Sequence, residues 1–463
     1  MSDDPSKPLQ AVEAMREDWA VVDSLMGGTR AMRAAGVARL PKWPKEEDCD
    51  YQVRLKQSTL LPAFSETIKN NTGRVFAEPI VIGADVPPTI QVFTENFDRQ
   101  GNNLQVWAKS FFAQALSHGL CHALVDYPKT TDAEGNLVIK TKADEIAAKV
   151  RPYVIMIRPQ QVIGWRSDSV DGEHVLTQFR YMEAVEEPDG EFGTKIIMQV
   201  RLLVPGAWAT YREKESDGKK SWVLHEQGEN SLKNIPLTTY YTNRTGFMTA
   251  TPPLLELAHL NVKHWQSQSD QDNILHIARV PMLVIIGTED MDWELKVGTA
   301  AATKLPKDAD MKWVEHTGKS IEAGRTSLGD LEDQIRMAGG KLLEKEKSAT
   351  KTATQAEDDA AQEMSPLQTM AGQLEDALDQ MLQHFADFTG QSSGGHVQVN
   401  GNFDIDFAPE TTLPTLLSMN GQGILSDETL FSEMKRRNVV SSDIKWDQEK
   451  QRISDQGPAL GGM

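Results

Sequence analysis

The sequence has 463 residues with 67 acidic and 48 basic side chains, which gives a net charge of −19. A chain of this length can form two or three cooperating domains around a sizeable core. The acidic balance repels polyphosphate at long range, so it excludes a general nucleic-acid coat and requires any contact with DNA to be local or weak. Only Cys49 and Cys121 are present, which excludes a disulfide framework and suits a reducing cytoplasm.

Neither a signal peptide nor a membrane span is expected. The N-terminal residues lack a basic start followed by an apolar stretch. No stretch of the sequence approaches the roughly 18 apolar residues that a spanning helix needs. We therefore expect a soluble protein.

The first part of the chain is predicted to be helical. Apolar residues around Trp19 have helical spacing up to a break at Gly27. One or two helices are predicted within 51–76, and a further helix is predicted from 104 to about 120. Residues 121–246 then contain short runs of β-branched and aromatic residues that are separated by turn signals, which is typical of an antiparallel, hairpin-rich layer. Helices around such a layer predict an α+β domain.

A long helix with an unusual middle follows. Pro252-Pro253 predicts a helix start, because proline in the first turn loses no hydrogen bond, and the helix is expected to run to about Ala278. Every residue between Trp265 and Ile274 is polar. Such a helix has no apolar face to bury there, so it is expected to be solvated or to pack against polar neighbours in an assembly.

A small α/β insertion is predicted over about 280–318, with two strands flanking a helix at 295–303. A second long helix is predicted from 321 to about 343. Residues 344–351 are charged and small without periodicity, which indicates a loop or an exposed helix end.

A further long helix is predicted to about residue 389, with a possible kink at Pro366. It carries a seam with alternating spacings of four and three, formed by Leu367, Ala371, Leu374, Leu378, Met381, Phe385 and Phe388. The seam fits an intermolecular coiled contact and an ordinary two-sided bundle helix equally well. After a Gly/Ser-rich linker come a short strand at 403–409, helices at 412–420 and 426–437, and a tail expected to be disordered.

Three motifs are candidate sites of catalysis or ligand binding, and each is better explained by an ordinary structural role. Gly318-Lys319-Ser320 resembles the end of a P-loop, but Trp313 occupies the position of the required first glycine. His118 and His122 have helical spacing for a shared metal, but Gly119 breaks the helix and no further ligands accompany them. The acidic run at 357–359 is typical of a solvated helix face. We therefore expect no enzyme activity and no cofactor.

Several stretches resemble one family of proteins, the portal proteins of tailed bacteriophages and prophages. They are YQVR from Tyr51, NNTGRVFAEPI, SHGLCHALVDYP, RPYVIMIRPQQVIGWR and, above all, PPLLELAHLNVKHWQSQSDQDNILHIARVPML from Pro252. The resemblance covers nearly the whole chain. The predicted order of elements is also that of portal subunits.

The resemblance implies a portal-type fold with a wing, a two-helix stem, a small α/β clip and a short helical crown. The implied boundaries are a wing at 1–250, a stem helix at 251–279, a clip at 280–318, a second stem helix at 319–343, a tunnel loop at 344–351, a wing return helix and strand at 352–408, and a crown with a disordered tail at 409–463.

The resemblance also implies a role and partners. Such a chain forms a ring, usually a dodecamer, at one vertex of the phage head, through which double-stranded DNA passes during packaging and ejection. Implied partners are the terminase large subunit, the major capsid and scaffold proteins, and adaptor or head-completion proteins. The implied location is the virion, with assembly in the host cytoplasm.

The resemblance assigns candidate residues to three places. The DNA-channel candidates are Lys345, Lys347, Ser348, Thr350 and Lys351. The candidates for stem contacts around the ring are Gln266, Gln268, Asp270 and Asp272. The candidates for docking at the clip are Met282, Trp293 and Trp313, although aromatic residues more often fill a small core. Two other classes stay open: a different structural head protein, and a nucleotide-dependent enzyme that uses Gly318-Lys319-Ser320.

Overall fold

A computed structural model describes residues 4–128, 144, 150–216, 218–279, 282–286, 310–314, 318–343, 364–403, 409–436, 439–440 and 444–455. The fold is α+β. The helices are α1 Gln10–Met26, α2 Gly28–Ala35, α3 Asp48–Gln57, α4 Ala63–Val75, α5 Pro88–Thr94, α6 Leu104–His118, α7 Leu255–Ala278, α8 Lys319–Gly340, α9 Pro366–Thr389, α10 Pro409–Gly421, α11 Asp427–Arg436 and α12 Trp446–Asp455.

The strands are β1 Val81–Ile82, β2 Leu120–Asp126, β3 Tyr153–Ile157, β4 Val162–Val170, β5 Glu173–Asp189, β6 Gly193–Val204, β7 Ala207–Ser216, β8 Lys219–Glu229, β9 Leu237–Tyr241, β10 Arg244–Gly246, β11 Thr249–Ala250, β12 Met282–Ile286, β13 Asp310–Val314 and β14 Val397–Gln398. The chain divides into two compact units. The first contains Met1–Asn70 and Ser110–Lys341, and the second contains Asn71–Lys109 and Leu342–Met463.

Two antiparallel sheets form the β layer of the first unit. One has the order β4-β5-β6-β7-β8, in which neighbours along the chain are neighbours in the sheet, and the other has the order β3-β2-β9. The turn between β6 and β7 contains Gly206 with a φ of 75°, which a residue without Cβ adopts without strain. The predicted hairpin-rich layer over 121–246 is confirmed.

The core of the first unit lies between α1 and these sheets. Val12, Trp19, Leu120, Phe179 and Tyr181 are almost fully buried in one cluster. The Trp19 indole nitrogen donates to the carbonyl oxygen of His118 at 2.9 Å, so this large ring is buried with its polar atom hydrogen-bonded. The prediction of a helix around Trp19 that breaks at Gly27 is confirmed.

Helices α7 and α8 run antiparallel to each other. Leu257 near the start of α7 lies beside Gly339 near the end of α8, and Gln271 near the end of α7 bonds to Ile321 near the start of α8. The narrow stripe of α8 that is buried consists of Leu328, Leu331, Ile335 and Ala338. Strands β12 and β13 form an antiparallel pair in the connection between the two helices.

The second unit is centred on α9. The N-cap of α9 is Ser365, whose hydroxyl accepts a hydrogen bond from the backbone N–H of Gln368 at 3.2 Å. The Phe385 ring stacks on Phe97 with centroids 5.1 Å apart. Carboxylates of Asp379 and Glu375 accept from the backbone N–H groups of Val397 and Val399, which holds the segment around β14 against the helix.

Several predicted boundaries differ from the structure. Helix α7 begins at Leu255, because the two prolines before it form a turn in which Pro252 accepts from the N–H of Leu255. Helix α9 begins at Pro366, so this proline starts a helix and does not kink one. Of the one or two helices predicted within 51–76, the structure has two, α3 and α4. Helix α12 was not predicted, and it includes Ile453 at the start of the tail that was expected to be disordered.

Other predictions fall wholly or largely outside the described residues. These are the helix at 295–303, the loop at 344–351, the helical residues 352–363, most of the strand at 403–409 and the tail beyond 455. The predicted strands of the insertion correspond to β12 and β13, and the predicted C-terminal helices correspond to α10 and α11. The hydroxyl of Ser426 caps α11 by accepting from the N–H of Thr429, as predicted.

Candidate functional site

The polar middle of α7 is the most unusual element of the molecule. Its side chains bond mainly to other parts of the same chain. Gln266 donates to the carbonyl oxygen of Arg39 at 3.0 Å, and Asp270 accepts from the indole nitrogen of Trp43 at 3.1 Å. The sequence predicted solvent or polar neighbours in an assembly for this stretch, whereas at these two positions the polar neighbours lie within the chain.

Two polar residues of this stretch are buried. The hydroxyls of Ser269 and Ser58 lie 2.9 Å apart, and Ser269 is only 2% exposed. Gln271 donates to the carbonyl oxygen of Ile321 at 3.0 Å and is 7% exposed. Buried polar groups are tolerated when they are hydrogen-bonded. The polar middle of α7 thus packs against α8 and the end of α3 without an apolar face.

Gln268 and Asp272 differ from these residues. The Gln268 amide donates to the Asp272 carboxylate at 2.7 Å along the same helix face. Asp272 is exposed, as is Asp270. Of the four residues predicted to contact neighbouring copies, Gln266 and Asp270 have partners elsewhere in the chain, whereas Gln268 and Asp272 bond to each other.

A buried ion pair supports the segment that contacts α7. The Arg54 guanidinium forms two hydrogen bonds to the Glu46 carboxylate, both at 2.7 Å, and both side chains are almost fully buried. The same guanidinium lies over the Trp43 ring, 4.1 Å from its centroid. Trp43 is thereby held where its indole nitrogen reaches Asp270.

The contacts around Trp43 shift the pKa values of two carboxyl groups, those of Glu46 and Asp270. The hydrogen bonds from Arg54 lower the pKa of Glu46, because they stabilise the charged carboxylate. The carboxyl group of Asp270 is partly shielded from water although the residue is exposed, and this partial burial raises its pKa; the hydrogen bond from Trp43 opposes the shift only in part.

The insertion between α7 and α8 contains the predicted docking residues. In the β12–β13 pair, Met282 lies opposite Val314 and Leu283 lies opposite Trp313. Trp293 lies outside the described residues. The channel candidates Lys345, Lys347, Ser348, Thr350 and Lys351 also lie outside them, as does the acidic run at 357–359.

The histidines near Gly119 occupy different elements. His118 ends α6 and His122 lies in β2, so the predicted break at Gly119 is confirmed. Gly119 has a φ of 94°, and a Cβ at this position would lie 2.6 Å from the carbonyl oxygen of Thr251, so the position requires glycine. Burial lowers the pKa of His122 to about 3 and raises that of Cys121. Within the described residues, no group of three or more His, Cys, Asp or Glu could hold a metal ion.

The P-loop-like motif starts a helix. Gly318 has a φ of 76° and precedes α8, which begins at Lys319. This arrangement corresponds to the turn and helix start that the sequence favoured over a phosphate-binding loop. Among the described residues, no helix is long and apolar enough to cross a membrane.

Sequence reasoning missed a cleft at the ends of α1 and α6. It has a volume of about 640 Å³, and Asp23, His118, Arg158 and Gln160 are among its lining residues. Its polar groups come from three separate segments, so no local motif marks the cleft in the sequence.

Comparison with known proteins gives one local match. A family model described as a domain of unknown function, DUF4055, matches residues 253–389. This range contains α7, α8 and α9 and is less than half of the chain. No curated protein matches the sequence significantly.

Solved structures give weak similarities. The chain is 12% identical to one from "Virion of native gene transfer agent (GTA) particle", with a TM-score of 0.41, covering 87% of this chain and 97% of that one. Two others come from "Neck of empty GTA particle computed with C6 symmetry" (12% identity, TM-score 0.40, 79% and 88% covered) and "Neck of native GTA particle computed with C12 symmetry" (10% identity, TM-score 0.40, 82% and 89% covered). These TM-scores are too low for a common fold to follow from them.

Proposed function

We propose that this protein is the portal subunit of a tailed phage, a ring component at one vertex of the head and the conduit for double-stranded DNA. The proposal rests mainly on the antiparallel helices α7 and α8, because the segment that connects them contains the β12–β13 strand pair. A helix of 24 residues is about 36 Å long. A long helical hairpin with a small β element in its connection has the form of a stem that ends in a clip.

The remaining parts take the roles that the sequence resemblance implies. The wing is 1–250, the stem 251–279 and 319–343, the clip 280–318, the tunnel loop 344–351, the wing return 352–408 and the crown 409–463. The two compact units divide the chain differently, since residues 71–109 of the proposed wing belong to the second unit.

Exposed polar residues on α7 support a ring contact. Asp272 and its partner Gln268 stand on a helix face where a neighbouring copy can offer polar groups. A closed ring makes such contacts heterologous, with one patch facing a different patch on the next copy. Gln266 and Asp270 then act indirectly, because their bonds to Arg39 and Trp43 hold α7 within its own subunit.

The charge balance suits a conduit. A channel that neutralised many phosphates would bind DNA tightly and impede its movement. With a net charge of −19, the protein would touch DNA through few cations, and the proposal assigns this contact to Lys345, Lys347 and Lys351 with Ser348 and Thr350.

The proposed partners follow from the same role. The terminase large subunit would supply ATP hydrolysis and dock at the clip, near Met282, Trp293 and Trp313. Adaptor or head-completion proteins would bind after packaging, and capsid and scaffold proteins would surround the wing. The protein itself would need no cofactor and no catalytic site.

Gold-labelled antibody on intact particles tests this proposal against the other structural class. A portal subunit places the label at one vertex of each head, next to the tail. Label distributed over the whole shell would contradict the proposal and favour a capsid protein. An ATPase assay on the purified chain tests the enzyme alternative, which predicts turnover that Lys319→Ala abolishes.

A further inference from the structure

Two arms project from the same end of the five-stranded sheet. Strand β4 pairs with β5 only as far as Tyr181, and β7 pairs with β6 only as far as Gln199. Beyond these points β5 and β6 continue together as a two-stranded ribbon. Strands β7 and β8 form the second arm, a hairpin. Both arms belong to the first unit.

The ribbon leaves one edge of β5 without a neighbouring strand in the described part of the chain, over residues 183–187, here called the β5 edge. Before it, the carbonyl oxygen of Met182 accepts from the side-chain amide of Gln161 at 3.1 Å. After it, Pro188 has no N–H group to donate to a further strand. The residues between them can pair with a strand added from outside.

Strand β8 has the second unpaired edge, because it is the last strand of the five-stranded sheet. This β8 edge covers residues 219–224, since His225 is left out of the register with β7 and forms a bulge. Unpaired strand edges are templates for pairing with another chain. The addition of a strand to such an edge is a common mode of specific protein recognition.

The two edges lie at the same height along the sheet. Glu183 pairs with Gln199, which in turn pairs with Arg212. Arg212 pairs with Val223. A line across β5, β6, β7 and β8 therefore joins Glu183 to Val223, and both edges extend from this line toward the tips of the arms. If a second copy is displaced along the line, its β5 edge runs antiparallel to the β8 edge of the first copy, with the outward N–H and C=O groups of both strands facing each other.

The two edges are complementary in charge. The β5 edge has three acidic residues and no basic one, whereas the β8 edge has two lysines and no acidic residue. Opposite charges directly across an antiparallel pair stabilise it, as do apolar contacts there. Charges on an edge normally prevent pairing with unrelated strands, so these charges select a partner of opposite sign. At matching height the pairs that stand opposite each other are Glu186 with Lys220, Glu187 with Lys219 and Ala184 with Trp222.

Glu186 and Lys220 can meet in this way without losing a strong contact. Glu186 is exposed and makes no ion pair with another described residue. Lys220 bonds to Glu213 of its own hairpin at 2.9 Å, in a pair whose side chains are 62% and 43% exposed. Such exposed pairs stabilise a fold only slightly. Glu187 differs, because it already bonds to Arg212 at 2.7 Å.

We propose that the β5 edge of one copy of this chain pairs antiparallel with the β8 edge of the next copy, so that the five-stranded sheets of successive copies join edge to edge. A contact between two different edges is heterologous and can close into a ring. The inference rests on the proposed ring, and it names a surface outside the stem through which the copies meet.

Disulfide cross-linking of full-length variants tests the pairing. Glu186→Cys and Lys220→Cys are introduced separately into a Cys49→Ser background, because Cys49 is exposed whereas Cys121 is buried. Opposite residues of an antiparallel pair have Cα atoms about 4.5–5.5 Å apart, which a disulfide can span. Mild oxidation of the two variants mixed should give a covalent dimer, and each variant alone should give none. A chain with both substitutions should give a ladder of multimers.

Glu186→Cys mixed with Ser221→Cys is the matched control. Ser221 is exposed and adjacent to Lys220, but successive side chains of a strand point to opposite faces. This mixture should therefore give several-fold less covalent dimer than the mixture of Glu186→Cys with Lys220→Cys.

Exchange of the two charges gives an independent readout. Lys220→Glu or Glu186→Lys alone places like charges opposite each other. Each should raise the concentration at which half of the chains are associated by about fivefold in analytical ultracentrifugation. A chain with both substitutions again has opposite charges in the pair, so its association should return to that of the unaltered protein. Circular dichroism confirms that each variant is folded.

Absence of the covalent dimer from the mixture would overturn the edge pairing, whatever the assembly state of the protein. Covalent dimers of Glu186→Cys alone would also overturn it, because they would show that two identical edges meet. Rings in electron micrographs without this cross-link would leave the proposed function standing and reject only the edge pairing. A cross-linked ladder from open filaments without rings would support the pairing and contradict the portal proposal.

Discussion

Helices α7 and α9 have the same length, 24 residues each, but the polar middle of α7 is held differently from α9. Helix α9 buries a broad apolar face that includes Leu374, Leu378 and Phe385. The middle of α7 instead has buried and half-buried polar side chains that bond to backbone carbonyls and a hydroxyl of distant segments. Apolar burial depends mainly on area, whereas polar burial depends on each partner being in place. The two helices should therefore respond differently to substitution.

The largest effect is expected at the apolar helix. Phe385→Ala removes a fully buried ring that stacks on Phe97. We expect the free energy of unfolding to fall by about 3–5 kcal/mol in urea denaturation. Phe192→Ala is the control, since Phe192 is 93% exposed, and it should change stability by less than about 0.5 kcal/mol. Similar losses for the two variants would refute the packing described for α9.

The second largest effect is expected at the Glu46–Arg54 ion pair, which holds Trp43 against α7. Arg54→Met leaves the buried carboxylate of Glu46 without its partner and removes the cation over Trp43. We expect a loss of about 3 kcal/mol in the same measurement. Arg336→Met breaks an exposed pair with Asp333 and should cost no more than about 0.5 kcal/mol. Equal effects would mean that the Glu46–Arg54 pair is solvated.

A smaller effect is expected at a single hydrogen bond of α7. Ser269→Ala removes the contact with the Ser58 hydroxyl, which keeps its own bond to the carbonyl oxygen of Arg54. The expected loss is about 1 kcal/mol. Ser327→Ala on the exposed face of α8 serves as the matched control. A loss below about 0.3 kcal/mol for Ser269→Ala would show that water replaces the Ser58 contact at little cost.

The smallest effect is a change in the acid dependence of stability. The folded-state pKa of Glu46 is lowered from its ordinary value of 4.5 by the hydrogen bonds from Arg54. Its contribution is therefore complete above about pH 4.5 and is lost as the pH falls through the lowered pKa. Denaturation between pH 6 and pH 3, about the range where carboxylates titrate, should show a weaker decline for Glu46→Gln than for the unaltered chain. Parallel declines would contradict the pairing.

Local patterns in the sequence predicted most elements of the fold. The runs of β-branched and aromatic residues between Cys121 and Gly246, with turn signals between them, predicted the antiparallel layer. The spacing around Trp19 and Leu374 predicted helices α1 and α9. These elements depend on side chains close together in sequence, which periodicity records. The start of α7 was wrong by a few residues, because two prolines can form either the first turn of a helix or the turn before it.

The polar contacts could not be predicted in the same way. The partners of Gln266 and Gln271 are the carbonyl oxygens of Arg39 and Ile321, and any residue type provides a carbonyl. Trp43 and Asp270 are 227 positions apart, so no spacing connects them. The polar run itself was visible, but whether its partners lie in the same chain or in a neighbouring copy depended on the three-dimensional fold.

If copies of this chain form the proposed ring, α7 and α8 form its stem, and negative-stain electron microscopy of the purified protein at high concentration can show this. We expect end-on views with a central hole and rotational symmetry, with twelve copies as the expected number, and side views with a narrow stem. Solid particles or closed shells without a central channel would contradict it.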